Sequence, residues 1–250
     1  MNYRDEIRVA VIVVAAGSGE RLGQGQPKAQ AALGSEPLLV HALRGVLAAH
    51  VAEFLCVVVP RGDVELRAVC ARIDPSIRTV DGGSTRSDSV SNALAVLPAN
   101  IDAVLVHDAA RPLTPEEVFH RVRNALEAGA QAVIPALAVV DTIKTAQPST
   151  EREIAPEQVH TTPQRDVLRA VQTPQGFDLA TLRAAHEAAS MFNDAQAAAI
   201  TDDAMLVESQ GVPVYIVRGS ELSLKITTPI DLLIAEAMLE GPAAPRWVEG

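Results

Sequence analysis

The chain has 250 residues, 48% of them hydrophobic and 21% charged, with a formal net charge of −10. That length suits one large domain with a sizeable core, and the acidic balance excludes a general nucleic-acid binder, whose phosphate contacts need a basic surface. A small basic pocket inside an acidic protein remains compatible with it.

The opening MNYRDEIR carries acids and runs directly into the first apolar segment, without the pattern of a signal peptide. No apolar run is long enough to span a membrane, so the expected place is the cytoplasm, with no membrane partner. Val9 to Val14 is a continuous valine-rich run, the mark of a strand buried on both faces. Phe54 to Val59, Ala103 to Val106, Ala132 to Ala136 and Val212 to Val217 read the same way. Between them lie amphipathic stretches at Leu38 to Ala49, Val64 to Ile73, Ser87 to Leu97 and Pro115 to Ala128. Thr114 is expected to cap the last of these, with Pro115 at its first turn, and Asp178 to cap a helix from Leu179 to Met191. Such alternation predicts an α/β fold, a Rossmann-like and mostly parallel sheet with helices on both faces.

Ala138 to Gln175 differs, being rich in Thr, Gln and Pro with short alternating segments. It is too long for an ordinary connection and too patterned for a linker, and reads as an extended β-arm at about 138–175. An arm exposing apolar alternation calls for a partner, and exchange between identical subunits is the simplest one. The whole of 1–250 is therefore expected to be a single domain with a dimerisation arm, followed by a loose tail from Gly241 to Gly250. The two cysteines, Cys56 and Cys70, form no C-x-x-C pair and read as small apolar side chains on a strand and a helix.

The first strand ends in AAGSGERLGQGQPK, a glycine loop that fails both familiar templates. After Gly17-x-Gly19 the next glycine is Gly23, one place too late for a dinucleotide fingerprint, and no acid ends the second strand. The P-loop template fails because Lys28 follows Pro27 and Ala29 replaces the hydroxyl. Even so, Ala15, Ala16 and Gly17 let a backbone approach a ligand closely, and Arg21 and Lys28 can curl over one phosphate chain. Of 21 basic residues only Lys28, Lys144 and Lys225 are lysines, so a lysine here is more informative than usual.

Further candidates lie downstream. DGGSTRSDSV offers Gly82 and Gly83 for close approach and Ser84, Arg86 and Ser89 for hydrogen bonds at a helix start. VLVHDAARPL places Asp108 and Arg111 beyond a central strand, at the edge where open α/β sheets bind ligands. Asp108 can hold a ribose hydroxyl or a magnesium ion there, Arg111 can pair with it or bind phosphate, and His107 reads as structural. DTIK sets Asp141, Thr142 and Lys144 at the base of the arm, LKITTP brings Lys225 and Thr227 to a strand end, and ITDDAM offers Thr201 as a helix cap beside two acids. Cations, small-residue turns and an acid, without a serine elbow or catalytic cysteine, suit phosphoryl or nucleotidyl transfer.

Taken in order, AAGSGERLGQGQPK, DGGSTRSDSV, VHDAARP, DTIK, TPQGF, ITDDA and LKITTPIDL resemble the motifs of the 2-C-methyl-D-erythritol 4-phosphate cytidylyltransferase family over residues 9–239. The resemblance implies transfer of CMP from CTP to methylerythritol phosphate, with Mg²⁺ bound on the triphosphate. It implies that Arg21 and Lys28 stabilise charge on the phosphates and that Lys225 orients the attacking phosphate. It assigns Ala15, Ala16, Gly17, Gly19, Gly82, Gly83, Ser84, Arg86 and Ser89 to CTP. Asp108, Arg111, Asp141, Thr142, Thr201 and Thr227 go to the polyol phosphate, and Arg165 reaches a neighbouring subunit's site in a homodimer. The sequence departs from the family at Ala29, where a bulkier residue is common. Rival readings are a cytidylyltransferase for ribitol 5-phosphate, an NAD-dependent oxidoreductase and a catalytically silent nucleotide binder.

Overall fold

The structure, a computed structural model, describes residues 7–17, 27–147, 156–193, 196, 200–241, 244–245 and 247. Its strands are β1 (Val9–Val14), β2 (Ala32–Leu33), β3 (Glu36–Pro37), β4 (Phe54–Val59), β5 (Arg78–Asp81), β6 (Ala103–Asp108), β7 (Ala132–Ala138), β8 (Thr145–Gln147), β9 (Gln158–Thr161), β10 (Arg169–Val171), β11 (Gln175–Asp178) and β12 (Tyr215–Arg218). Its helices are α1 (Leu38–Ala48), α2 (Val64–Ile73), α3 (Arg86–Leu94), α4 (Glu116–Glu127), α5 (Leu179–Ala189), α6 (Asp203–Glu208) and α7 (Pro229–Glu240).

The main sheet runs β10-β7-β11-β6-β1-β4-β5, with β12 also paired to β7. β1 lies parallel to β4 and β6, and β4 parallel to β5, so three adjacent parallel pairs surround the first strand. Alternation along these strands builds two apolar layers. Val9, Val11 and Val13 pack with Leu43 of α1, Cys70 of α2 and Phe119 of α4 on one face. Ala10 and Ile12 pack with Val90 of α3, Leu182 of α5 and Leu206 of α6 on the other. Cys56 and Cys70 are buried thiols, and burial pushes them up to about 12 and about 11. Among the described residues no helix is long and apolar enough to cross a membrane.

Several boundaries move. The segment read as the far end of the arm folds into the main sheet instead, where β11 inserts antiparallel between β6 and β7 and β10 pairs antiparallel with β7. Gln172, Thr173 and Gln175 are buried there: Gln172 Nε2 donates to the Ser220 carbonyl and Gln175 Nε2 to Asp202, while Gln175 Oε1 finds no partner among the described residues. Of the described part of 138–175, β8 and β9 form a two-stranded sheet apart from the main one, exposed throughout. The strand expected at Val212 to Val217 begins at Tyr215. Val212 and Val214 pack against the core without joining the ladder, and Pro213 between them has no N–H to give it.

Caps differ as well. Asp178 accepts from the Thr181 N–H at 2.9 Å, as expected. Thr114 does not cap α4: its hydroxyl donates to the Arg111 carbonyl at 3.1 Å, and α4 starts without a side-chain cap. Thr201 does not cap α6 either, because Asp202 takes the Met205 N–H at 2.8 Å. The tail is not loose at Trp247, whose ring packs 6.2 Å from His41 against a third apolar cluster that includes Leu33, Leu113 and Ile226.

Candidate active site

β1 and β6 end at one cavity of about 640 Å³, walled also by the turn that follows β5. Its lining includes Ala15, Ala16 and Gly17 after β1, Gly83 to Arg86 and Ser89 at the start of α3, and Asp108 to Ala110 at the end of β6. Lys28 enters from a 3-10 turn, and Lys225 and Thr227 from the segment before α7. The segments are joined through the backbone: Lys28 N–H donates to Gly17 and Ile226 N–H donates to Ala110. Among the described residues three cations line the cavity (Lys28, Arg86 and Lys225) against one carboxylate, Asp108, a contribution of about +2 inside an acidic chain.

Asp108 is the electrostatic centre. Its Oδ2 meets Lys225 Nζ at 2.7 Å and its Oδ1 lies 3.6 Å from Arg86. Burial alone would raise its pKa, but Arg86 and Lys225 outweigh burial and hold the carboxyl well below the usual range. Its backbone N–H donates to Thr173 Oγ1 at 3.0 Å, and the same hydroxyl meets His107 Nδ1. His107 is buried against Phe119, and that burial lowers it to about 4, so it stays a neutral structural imidazole as expected.

The glycine turn after β5 works differently from the close-approach reading. A Cβ on Gly82 would stand 2.5 Å from Ala16 Cβ, and one on Gly83 would stand 2.2 Å from Asp88 Cβ. Both glycines are demanded by the protein's own packing. Their N–H groups are also taken, by the Val59 carbonyl and by Ser89 Oγ, and Ser89 in turn donates to Thr85. Ser84 donates to Asp88, which completes a capping box with Thr85. At Gly17, by contrast, a Cβ would meet no atom of the described residues within 4 Å.

Other sequence candidates sit elsewhere. Arg111 does not line the cavity: its guanidinium donates to the Ser223 carbonyl at 2.6 Å and the Val171 carbonyl at 3.2 Å, bracing the approach to Lys225. Thr227 lines the cavity, yet its hydroxyl donates to Asp231 at 2.7 Å, which helps hold that carboxyl at about 2. Asp141 and Thr142 are exposed just before β8, and Arg165 donates to the Val140 carbonyl at 2.9 Å outside the cavity. Thr201 is exposed beside Met205. Gly19 and Arg21 lie outside the described residues. Two residues that single-sequence reasoning missed stand behind the cavity: Asp203, bonded to Arg86 at 2.5 Å, and His186, bonded to Asp203 at 3.1 Å. The acid in ITDDA was visible, but its partner Arg86 is 117 positions away.

Among the described residues no group of three or more His, Cys, Asp or Glu could cage a metal. Asp108 is the one carboxylate at the cavity wall among them, an oxygen donor of the kind a magnesium ion takes.

A mostly parallel sheet with small-residue turns, two lysines and a clamped carboxylate at its strand ends defines a nucleotidyltransferase of the α/β class. The family model described as 2-C-methyl-D-erythritol 4-phosphate cytidylyltransferase matches residues 9–241. Relatives carrying that description include one from Nocardia farcinica, 46% identical over 94% of this chain and 96% of its own, and one from Streptomyces coelicolor, 44% identical over 94% and 86%. The crystal structure of the enzyme of that description from Thermus thermophilus is 32% identical, with a TM-score of 0.72 over 94% of this chain and 100% of its own. That of 4-diphosphocytidyl-2C-methyl-D-erythritol synthase from Anaerococcus prevotii is 30% identical, with a TM-score of 0.79 over 94% and 97%. The chain belongs to the 2-C-methyl-D-erythritol 4-phosphate cytidylyltransferase family.

Proposed function

We propose that the protein transfers the cytidylyl group of CTP to 2-C-methyl-D-erythritol 4-phosphate, in the non-mevalonate route to isoprenoids. The observation that supports this most directly is the convergence of Lys28, Lys225 and Asp108 on one cavity in a chain that matches the family over residues 9–241. A phosphate oxygen of the polyol attacks the α-phosphorus of CTP, the bond from that phosphorus to the bridging oxygen breaks, and pyrophosphate leaves. Negative charge accumulates around the α-phosphorus and on the leaving group, so fixed cations are the chief requirement.

Lys28 supplies one such cation from the 3-10 turn, and Arg21 is assigned the same role. Lys225 exchanges Asp108 for the attacking phosphate and orients it. Ala15, Ala16 and Gly17 face the nucleotide. The Gly82 to Ser89 turn shapes its wall, with Arg86 beside it. Mg²⁺ carried on the triphosphate would be held at Asp108, where it would neutralise phosphate charge. Asp141, Thr142, Arg165 and Thr201 are assigned to the polyol end of a site completed by a second subunit. The exposed Val140, Val159 and Val167 around β8 and β9 support such an arm-mediated homodimer. A cytoplasmic enzyme with two buried free thiols is the setting this reading implies.

The test is turnover with CTP, Mg²⁺ and either methylerythritol phosphate or ribitol 5-phosphate, with pyrophosphate release as the readout. Release with methylerythritol phosphate as the preferred acceptor is expected. Preference for ribitol phosphate would overturn the substrate, and release with neither would overturn the reaction.

A further inference from the structure

Behind the cavity a line of charged and polar groups runs away from Asp108. Arg86 divides its guanidinium between two carboxylates: one nitrogen meets Asp203 Oδ2 at 2.5 Å, the other lies 3.6 Å from Asp108 Oδ1. Asp203 opens α6 and its side chain is 2% exposed. Its remaining oxygen, Oδ1, accepts from His186 Nε2 on α5 at 3.1 Å. That bond puts the His186 proton on Nε2 and leaves Nδ1 to accept from the Ser91 hydroxyl on α3 at 2.9 Å. Both oxygens of Asp203 are therefore committed, and the carboxylate has one orientation.

The two contacts of Arg86 are unequal. An arginine fork prefers a bidentate grip on a single carboxylate. Here that grip is not made: one nitrogen is held on Asp203 Oδ2 at 2.5 Å, His186 occupies the other Asp203 oxygen, and the second nitrogen only leans towards Asp108, whose other oxygen is held by Lys225 at 2.7 Å. Without the Asp203 charge, Asp108 is the one carboxylate left within 4 Å of Arg86 among the described residues. The fork would then close on it and compete with Lys225.

We infer that Asp203 and His186 are positioning residues: by anchoring Arg86 they keep it off Asp108 and leave that carboxylate to Lys225. The kinetic consequence rests on the proposed transfer reaction, in which Lys225 orients the polyol phosphate. The geometric consequence does not depend on it.

The chain's three lysines make a direct test possible. Reductive methylation with ¹³C-formaldehyde keeps their charge and labels each one, and Lys225→Arg and Lys144→Arg assign the NMR signals. Asp203→Asn is expected to move the Lys225 signal and leave that of Lys144 in place. His186→Leu should move it in the same direction, whereas His186→Gln, which can still offer an N–H to Asp203, should restore the wild-type position. In turnover, Asp203→Asn should raise KM for the polyol phosphate about tenfold with a much smaller change in kcat. A Lys225 signal unmoved by Asp203→Asn, or moved equally by both His186 variants, would overturn the inference. If Asp203→Asn does not fold, the two His186 variants decide. Loss of turnover in the wild type overturns the reaction alone, and the lysine signals still judge the positioning.

Discussion

Replacing Asp108 by Asn removes the charge that holds Lys225 and attracts Arg86, while keeping the shape of the side chain. Orphaning a buried charge costs about 3–5 kcal/mol when the partner has nowhere to turn. Here both partners have an alternative: the Lys225 side chain is 43% exposed and can hydrate, and Arg86 keeps its bond to Asp203. The loss should therefore resemble that of one charged hydrogen bond, about 2 kcal/mol. For a chain of this size that lowers Tm by about 4–8 °C, measurable by scanning calorimetry. The sign with pH is fixed by the direction of the Asp108 shift. Its folded pKa lies below the ordinary value of 3.8, so the stabilisation is complete above that value and fades as pH falls towards the folded one. The difference in Tm between wild type and Asp108→Asn should accordingly hold constant from pH 8 to pH 5. A difference under about 1 °C at pH 7 would refute the clamp, and one above about 15 °C would refute the claim that its partners have somewhere to go.

Lys28→Ala should lower kcat far more than it raises KM for methylerythritol phosphate, by on the order of a hundredfold, because a cation aimed at developing charge acts in the transition state; equal small effects on both would remove that role. Arg165→Ala should raise KM for the polyol phosphate and leave CTP affinity, read by titration calorimetry, unchanged; a selective loss of CTP binding would contradict the assignment. Gly82→Ala must push a methyl into Ala16, which stands 2.5 Å away, so overpacking of about 1–3 kcal/mol and weaker CTP binding should appear together; a stable variant with normal affinity would count against the turn as a wall of the site. His107 binds a proton near pH 6.5 when unfolded and near 4 when folded, so wild-type stability should fall between those values as pH drops, by roughly 3 kcal/mol at most. Urea midpoints for His107→Gln should lack that slope, and an identical slope would place the cause elsewhere.

The sheet was legible because its strands are buried on both faces and must be apolar throughout. Val9–Val14 and Phe54–Val59 are found where the runs begin and end. The arm's outer limit was not legible, for a physical reason. Gln172, Thr173 and Gln175 are buried through hydrogen bonds, and Thr, Gln and Pro have the same composition whether those bonds go to protein or to water. The lining residues of the site were largely readable, since most close a strand or open a helix; Lys225, expected at a strand end, stands instead in the irregular segment between a 3-10 turn at Glu221–Ser223 and α7, because no strand forms there. What holds them was not, because Arg86 to Asp203 and Arg111 to Ser223 span 117 and 112 positions and leave no local pattern. Gly82 and Gly83 illustrate a subtler limit: sequence shows that a side chain is missing, but only the structure shows whether ligand or protein fills the space.

The scarcity of lysine gains a physical meaning from the cavity. Three cations in one pocket repel each other unless something negative stands among them, and Asp108 and Asp203 supply that charge without a ligand. An incoming phosphate must then exchange with a carboxylate instead of meeting a free cation. A lysine suits this exchange: its ammonium is a compact point charge on a flexible stem and can pass from one oxygen to another. An arginine fork grips two oxygens at once and gives them up less readily. Around the described part of the cavity two arginines are held by the protein itself, Arg86 on Asp203 and Arg111 on two backbone carbonyls, while lysine stands at positions 28 and 225, where the phosphates are proposed to arrive.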